Sequence, residues 1–303
     1  MLEKEIQLLM DTHPGADDAT GKLCQGVTRQ RARTTKAGQM LYVAAYPVWD
    51  TQHTAQAREA LKKVKQASGS TEAQRRLNAK NAQRKLVQLI NANFGAGDLL
   101  VTCTYKPGCE PVDDDQAHKA MVNLMGRLKR LYRKAGIEHP KYVYVTEITE
   151  STKRGRRYHH HMIMEDGISR EDVELAWSKT HGGICNTRRA QQQPEGLTGF
   201  AKYISKQVNG DKRQQIATRR RWCASKNLVQ PLTTTADKKI SRRRAEKIAQ
   251  SVEQDPRRAY EALEQLHPGY RVIELEVRTS SYVSGAYIYA TLTRDTGEIP
   301  RRS

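Results

Sequence analysis

The chain has 303 residues, and its 52 lysines and arginines against 33 acidic residues give a net charge of +19. This length supports one large domain or two smaller ones, and the charge predicts a polyanionic partner, nucleic acid before a membrane surface. No pair among the five cysteines has Cys-x-x-Cys spacing, which argues against a zinc ribbon or a dithiol redox site and suits a reducing cytoplasm. With no visible signal peptide and no apolar run of membrane-spanning length, we expect a soluble intracellular protein without a membrane partner.

Residues 1–95 are predicted to be a basic arm followed by a helical region. The polar stretch 1–36 ends in a run of basic residues, and a short strand is predicted at 40–46. Strong helix formers fill 54–90, and a Ser-Gly-Ser break at 68–70 divides them into two predicted helices.

One N-terminal stretch, Gly15 to Lys22, resembles a phosphate-binding loop. It has five residues between its glycines instead of four, and Leu23 follows the lysine where Ser or Thr is needed to hold Mg²⁺. We therefore predict that the chain has no ATP-binding module.

The middle of the chain, 96–210, alternates predicted strands and helices. Apolar and β-branched runs predict strands, and periodic apolar residues predict helices. The predicted strands are 99–105, 141–150, 158–164 and 183–188, and the predicted helices are 113–134, 169–179 and 195–208. This order is the split βαβ pattern, so we predict an α+β fold whose antiparallel sheet of about five strands carries packed helices.

Residues 211–303 are predicted to form a basic C-terminal region. A helix is predicted at 241–265, and two strands at 270–278 and 285–293 are predicted to form a closing hairpin.

Three consecutive histidines enter the predicted strand 158–164. Alternation along a strand places His159 and His161 on one face and His160 on the other. Two imidazoles side by side form half of a divalent-metal site, although an isolated His-x-His more often has no ligand role. The preceding strand offers Glu147 or Glu150 as a third ligand, and the register of the hairpin decides between them.

A tyrosine and a lysine lie three residues apart on the predicted helix 195–208. Tyr203 and Lys206 therefore occupy neighbouring positions of one helix face. A tyrosine can act as a nucleophile, and a divalent ion that polarises a phosphate would help a phenol whose free pKa is about 10. Lys206 would neutralise charge on the phosphate or the phenolate. By itself, such a pair is usually an ordinary amphipathic surface pair.

The order of these features resembles the HUH endonucleases that initiate rolling-circle replication of plasmids and phages. That family has a strand motif, then a His-hydrophobic-His motif, then a tyrosine helix. Two later segments are similar as well, and the resemblance covers residues 75–300. The similar segments are LLVTCTYKP at 99–107, YHHHMIM at 158–164, AKYISK at 201–206, RRRWCASKNL at 219–228 and the closing strands at 268–278 and 285–292.

The resemblance implies a Mg²⁺ or Mn²⁺ ion held by His159, His161 and Glu147, because a strand ending Val-Thr-Glu also precedes the histidines in that family. It implies that Tyr203 attacks single-stranded origin DNA, keeps the 5′-phosphate and leaves a 3′-hydroxyl that primes a polymerase. Reversal of this step would circularise the displaced strand. Without an ATP-binding motif, a host helicase would have to unwind the DNA, in the cytoplasm of a bacterial host.

Two departures from the family pattern are visible. His160 stands at a position that is usually hydrophobic, which leaves open which two histidines bind the metal. Gly199 and Phe200 stand where some relatives have another tyrosine, so the chain resembles the one-tyrosine enzymes. The candidate DNA contacts, for the backbone and for base stacking, are Lys202, Arg219, Arg220, Arg221 and Trp222.

Two other functions fit parts of the sequence. A non-catalytic single-strand-binding module would display stacking aromatics on its sheet, but Tyr142 and Tyr144 lie on the strand face opposite Glu147. A relaxase or transposase is the other alternative. Relaxases usually place the tyrosine before the histidines, and single-tyrosine transposases are usually much smaller.

Overall fold

The fold is described from a computed structural model of the chain. It describes residues 27–49, 72–151, 155–181, 183–191, 193–209, 222–237, 239–279 and 285–295. The predictions for the first 26 residues, for a helix beginning at residue 54 and for Arg219, Arg220 and Arg221 lie outside the described residues. The chain forms two compact units, which we call the central unit (Gln83–Pro231) and the terminal unit (Met1–Ala82 with Leu232–Ser303).

The described residues form ten strands and six helices. The strands are β1 (Val27–Ala37), β2 (Met40–Trp49), β3 (Leu99–Thr104), β4 (Tyr142–Ser151), β5 (Gly155–Met164), β6 (Cys185–Arg189), β7 (Cys223–Ala224), β8 (Leu232–Ala236), β9 (Tyr270–Thr279) and β10 (Ala286–Arg294). The helices are α1 (Glu72–Asn93), α2 (Asp114–Lys134), α3 (Arg170–His181), α4 (Thr198–Asn209), α5 (Arg242–Gln254) and α6 (Pro256–Leu266).

The central unit is built on an antiparallel five-stranded sheet with the order β6-β3-β5-β4-β7. On one face of this sheet, alternate residues such as Val101 and Met162 pack against Leu124 of α2 and Trp177 of α3 in a hydrophobic core. Asp113 caps α2, because its side chain accepts a hydrogen bond from the backbone N–H of Gln116. The other face carries α4, which contacts β4.

The terminal unit has its own antiparallel five-stranded sheet, with the order β8-β1-β2-β10-β9. One face of this sheet packs against α5 and α6, and its buried residues include Val43 of β2, Ile288 of β10, Ile248 of α5 and Leu263 of α6. Both terminal segments of the chain therefore contribute strands to one sheet.

The structure confirms the α+β class and the five-stranded antiparallel sheet with its predicted order of strands and helices. The boundaries predicted for the three regions 1–95, 96–210 and 211–303 stay predictions. None of the helices in the described ranges has the length and apolar character needed to cross a bilayer.

Two predictions about individual elements are wrong. Residues 27–36, predicted as part of a weakly ordered arm, form a strand that pairs with both β2 and β8. The helix predicted at 241–265 is two helices, because Asp255 caps α6 and Pro256, which lacks an N–H, occupies its first position.

Candidate active site

The register of the β4–β5 hairpin decides which glutamate faces the histidines. Glu147 lies directly opposite His159, and Glu150 lies opposite Arg156. Opposed residues of an antiparallel pair share a face, and so do residues two apart on one strand. Glu147, His159 and His161 therefore lie on the same face of the sheet.

Glu147 and His161 are in direct contact on that face. The Nε2 atom of His161 lies 3.1 Å from Oε2 of Glu147, and the exposed fractions of His161 and Glu147 are 4% and 7%. The other ring nitrogen, Nδ1, lies 3.3 Å from Oγ1 of Thr102 on β3. These contacts hold the His161 ring on both sides, which fixes its orientation.

His159 is half-buried beside this pair. Burial lowers the pKa of His159, Glu147 acts in the opposite direction, and the charges of Arg157 and His161 lower the pKa further. The net direction favours the neutral imidazole, which is the form that binds metal ions. Within the part of the chain that the structure describes, no three His, Cys, Asp or Glu side chains are arranged to hold a metal ion.

His160 points to the opposite side, into the hydrophobic core, and is fully buried. Its Nε2 lies 2.7 Å from the hydroxyl of Tyr105, and its Nδ1 lies 2.9 Å from Oγ1 of Thr146. The rings of Tyr105 and Trp177 pack against it edge-on. Because both nitrogens have hydroxyl partners, His160 behaves as a core side chain and lies away from the face of Glu147.

Tyr203 lies beside His161. The ring centroids of the two residues are 5.4 Å apart, and the rings are nearly perpendicular. On α4, Ala201 and Ile204 are fully buried, and this side anchors the helix while Tyr203 remains 50% exposed. The phenol is therefore open to a ligand on the same side of the sheet as the histidines.

Polar contacts fix the position of α4 against α1. Asn91 of α1 accepts a hydrogen bond from the backbone N–H of Leu197 at 2.8 Å and donates one to Oγ1 of Thr198 at 3.1 Å. Earlier on α1, Gln83 donates a hydrogen bond to Oγ of Ser205 at 2.7 Å. The tyrosine helix is thus held at both its start and its middle.

The remaining predicted site residues are placed as follows. Lys202 is exposed on α4 next to Tyr203, and Trp222 is half-buried just before β7. The backbone of Lys206 belongs to α4, one turn beyond Tyr203, but its side chain lies outside what the structure describes.

Sequence analysis missed the residues that support the site. Thr102 contacts His161, Tyr105 and Thr146 hold His160, and Asn91 anchors α4. One signal was present for Thr102, because alternation along the predicted strand 99–105 separates Thr102 and Thr104 from the apolar Val101 and Cys103.

The region that holds this site also matches a known family. Residues 98–208 match the model of the ORF2 family of replication-associated proteins. The match runs from β3 almost to the end of α4 and includes Glu147, both histidines of the face and Tyr203. This region is therefore similar to replication proteins of the Rep type. The searches of curated proteins and of solved structures gave no match.

Proposed function

We propose that this protein initiates rolling-circle replication by nicking and rejoining single-stranded origin DNA through a covalent link to Tyr203. The observation that carries the proposal is the contact of the Tyr203 ring with His161, which itself contacts Glu147. A half-exposed phenol beside an imidazole and a carboxylate is the arrangement that such a reaction requires. The similarity of residues 98–208 to a replication-associated protein supports the same activity.

The donor set on this face fits Mg²⁺ or Mn²⁺. Glu147 supplies a carboxylate, and His159 and His161 supply two imidazoles, of which His159 has a lowered pKa. Thr102 holds the second nitrogen of His161, as outer partners of metal-binding histidines do. The hydrogen bond between His161 and Glu147 would give way to the ion, which when bound would polarise the scissile phosphate.

The proposed step conserves atoms and charge. The phenol oxygen of Tyr203 attacks the phosphorus, the bond from phosphorus to O3′ breaks, and the 5′-phosphate stays on the tyrosine. The proton lost by the phenol is balanced by the proton gained by the departing 3′-oxygen. Because one phosphodiester replaces another, the step needs no nucleotide hydrolysis, and the same link supplies the energy for rejoining.

The surroundings suit a nucleic-acid substrate. Lys202 is exposed beside Tyr203, and the chain carries a net charge of +19, so long-range attraction favours a phosphate backbone. A host helicase and a polymerase would supply the unwinding and synthesis that this chemistry does not provide.

Formation of a covalent adduct tests the proposal. The protein is incubated with a single-stranded origin oligonucleotide and Mn²⁺, and the mixture is run on a denaturing gel. We expect a protein–DNA band with the native protein and no such band with Tyr203→Phe, which should still bind the DNA. Tyr142→Phe, on the opposite face of the same sheet, is the matched control and should form the adduct. A Tyr203→Phe protein that still forms it would refute the assignment of the nucleophile.

The fold disfavours a binding module that uses the central sheet as an open platform. On one face Tyr144 is buried in the core, and on the other Val143 and Ile163 are fully buried. A module of that kind predicts only a complex that salt dissociates, with no adduct on the denaturing gel.

A further inference from the structure

The sheet of the terminal unit has two chemically different faces. Alternate residues of β2 and β10, such as Val43 and Ile288, pack against α5 and α6. The residues between them point to the opposite side. On that side β2 presents Tyr42 and Tyr46, and β10 presents Tyr287 and Tyr289.

We call this side the tyrosine face, defined by Tyr42, Tyr46, Tyr287 and Tyr289. All four side chains are half-buried. Thr291 lies opposite Tyr42 and Ala44 lies opposite Tyr289, so β2 and β10 are direct neighbours and the tyrosines form one patch. Residues two apart on a strand are separated by about 6.6 Å, and neighbouring strands are about 4.8 Å apart. The patch therefore offers several rings in a row.

The charges beside the tyrosine face are arranged asymmetrically. On one side β1 adds Arg33, which is exposed and lies opposite Ala44. Its neighbour on the same face, Arg31, forms a salt bridge with Asp237 at 2.6 Å. On the other side Glu276 of β9 lies opposite Tyr289. An anionic backbone is thus attracted toward β1 and repelled from β9.

We propose that the tyrosine face binds single-stranded DNA, with bases stacked on the tyrosines and the phosphate backbone directed toward Arg33. Aromatic rings beside a cationic strand provide sequence-independent affinity, because every base has a π-face and every nucleotide has a phosphate. Burial raises the pKa of Tyr287 to about 12, so this phenol stays neutral at physiological pH and does not repel phosphate. The face lies outside the residues that match the replication-associated family.

Replacement of a stacking ring is the first test. Affinity for a fluorescent oligothymidylate is measured by anisotropy in EDTA, where no metal-dependent cleavage takes place. The result therefore does not depend on the proposed nicking reaction. We expect Tyr289→Leu to weaken binding by about 5- to 150-fold, the range found when one stacking ring is removed. Tyr289→Phe keeps the ring and should bind as the native protein does.

A matched control separates loss of stacking from loss of structure. Tyr260→Leu makes the same change in α6, which packs on the opposite side of the sheet, and should leave the affinity unchanged. If Tyr289→Leu binds as well as the native protein while its circular-dichroism spectrum is unchanged, the proposal is overturned. Equal weakening by Tyr260→Leu would also overturn it.

The charge of Arg33 and a direct map of the contact provide the second test. Arg33→Gln should reduce the slope of log affinity against log salt by about 0.7, and Arg257→Gln, exposed on α6, should not. An oligonucleotide with 5-iodouracil should crosslink on irradiation to peptides that contain β2 or β10. Crosslinks found only within Gln83–Pro231 would show that the tyrosine face does not bind the strand.

Discussion

Replacement of His160 by leucine should destabilise the central unit without removing the proposed chemistry. The change keeps a similar side-chain volume but deprives two hydroxyls of their partner. The hydroxyl of Tyr105 is buried, and losing its 2.7 Å contact costs about 1–3 kcal/mol. The hydroxyl of Thr146 is only half-buried, so losing its 2.9 Å contact costs about 1 kcal/mol. Together these terms predict a loss of about 2–4 kcal/mol in the free energy of unfolding.

Urea unfolding followed by tryptophan fluorescence measures this loss, and Trp177 reports on it directly because its ring centroid lies 5.8 Å from that of His160. The combined variant His160→Leu, Tyr105→Phe and Thr146→Val is the informative comparison. Because it replaces all three polar groups with apolar groups of similar shape, it should recover most of the lost stability.

Two results would refute this account of His160. One is a His160→Leu protein with native stability, which would mean that the hydrogen bonds contribute nothing. The other is a folded His160→Leu protein that has lost Mn²⁺-dependent adduct formation while His161→Ala retains it. That outcome would exchange the roles of the two histidines and place His160 among the metal ligands.

Three further predictions follow from the structure. Glu147→Gln keeps the shape of the side chain but removes its charge, and in the adduct assay it should slow the reaction by about 100-fold or more while DNA binding persists. His267 is buried, and burial together with the charge of Lys239 lowers its pKa to about 4. The unfolded chain therefore binds more protons between about pH 4 and 6.5, and urea unfolding should show about 3 kcal/mol less stability at pH 4 than at pH 7, a component that His267→Asn should lack. Asn91→Ala removes both polar contacts to the start of α4; it should cost about 2 kcal/mol by urea unfolding and slow adduct formation, whereas Asn91→Asp should keep the bond from Leu197 and lose less.

The central sheet was predictable because its elements are encoded locally. The strands at 141–150 and 158–164 carry apolar runs, and the period of two along a strand is enough to separate His160 from His159 and His161. Tyr203 and its helix follow from the apolar periodicity of 195–208 in the same way.

The second sheet was not predictable from local pattern. β1 carries several basic residues and few large apolar ones, so its sequence is typical of an arm. It becomes a strand because β2 on one side and β8, about 200 residues further on, supply its hydrogen bonds. Pairing between segments that distant in sequence leaves no local signature.

The sequence by itself determined which residue types are available for chemistry: two histidines on one strand face, a tyrosine on a later helix and a large positive charge. Only the tertiary structure decided that Glu147, and not Glu150, faces those histidines, and that the ring of Tyr203 lies against His161. The physical reason is that side-chain direction depends on the residue's own backbone. Strand register and helix docking depend instead on contacts between segments that meet only in the folded chain.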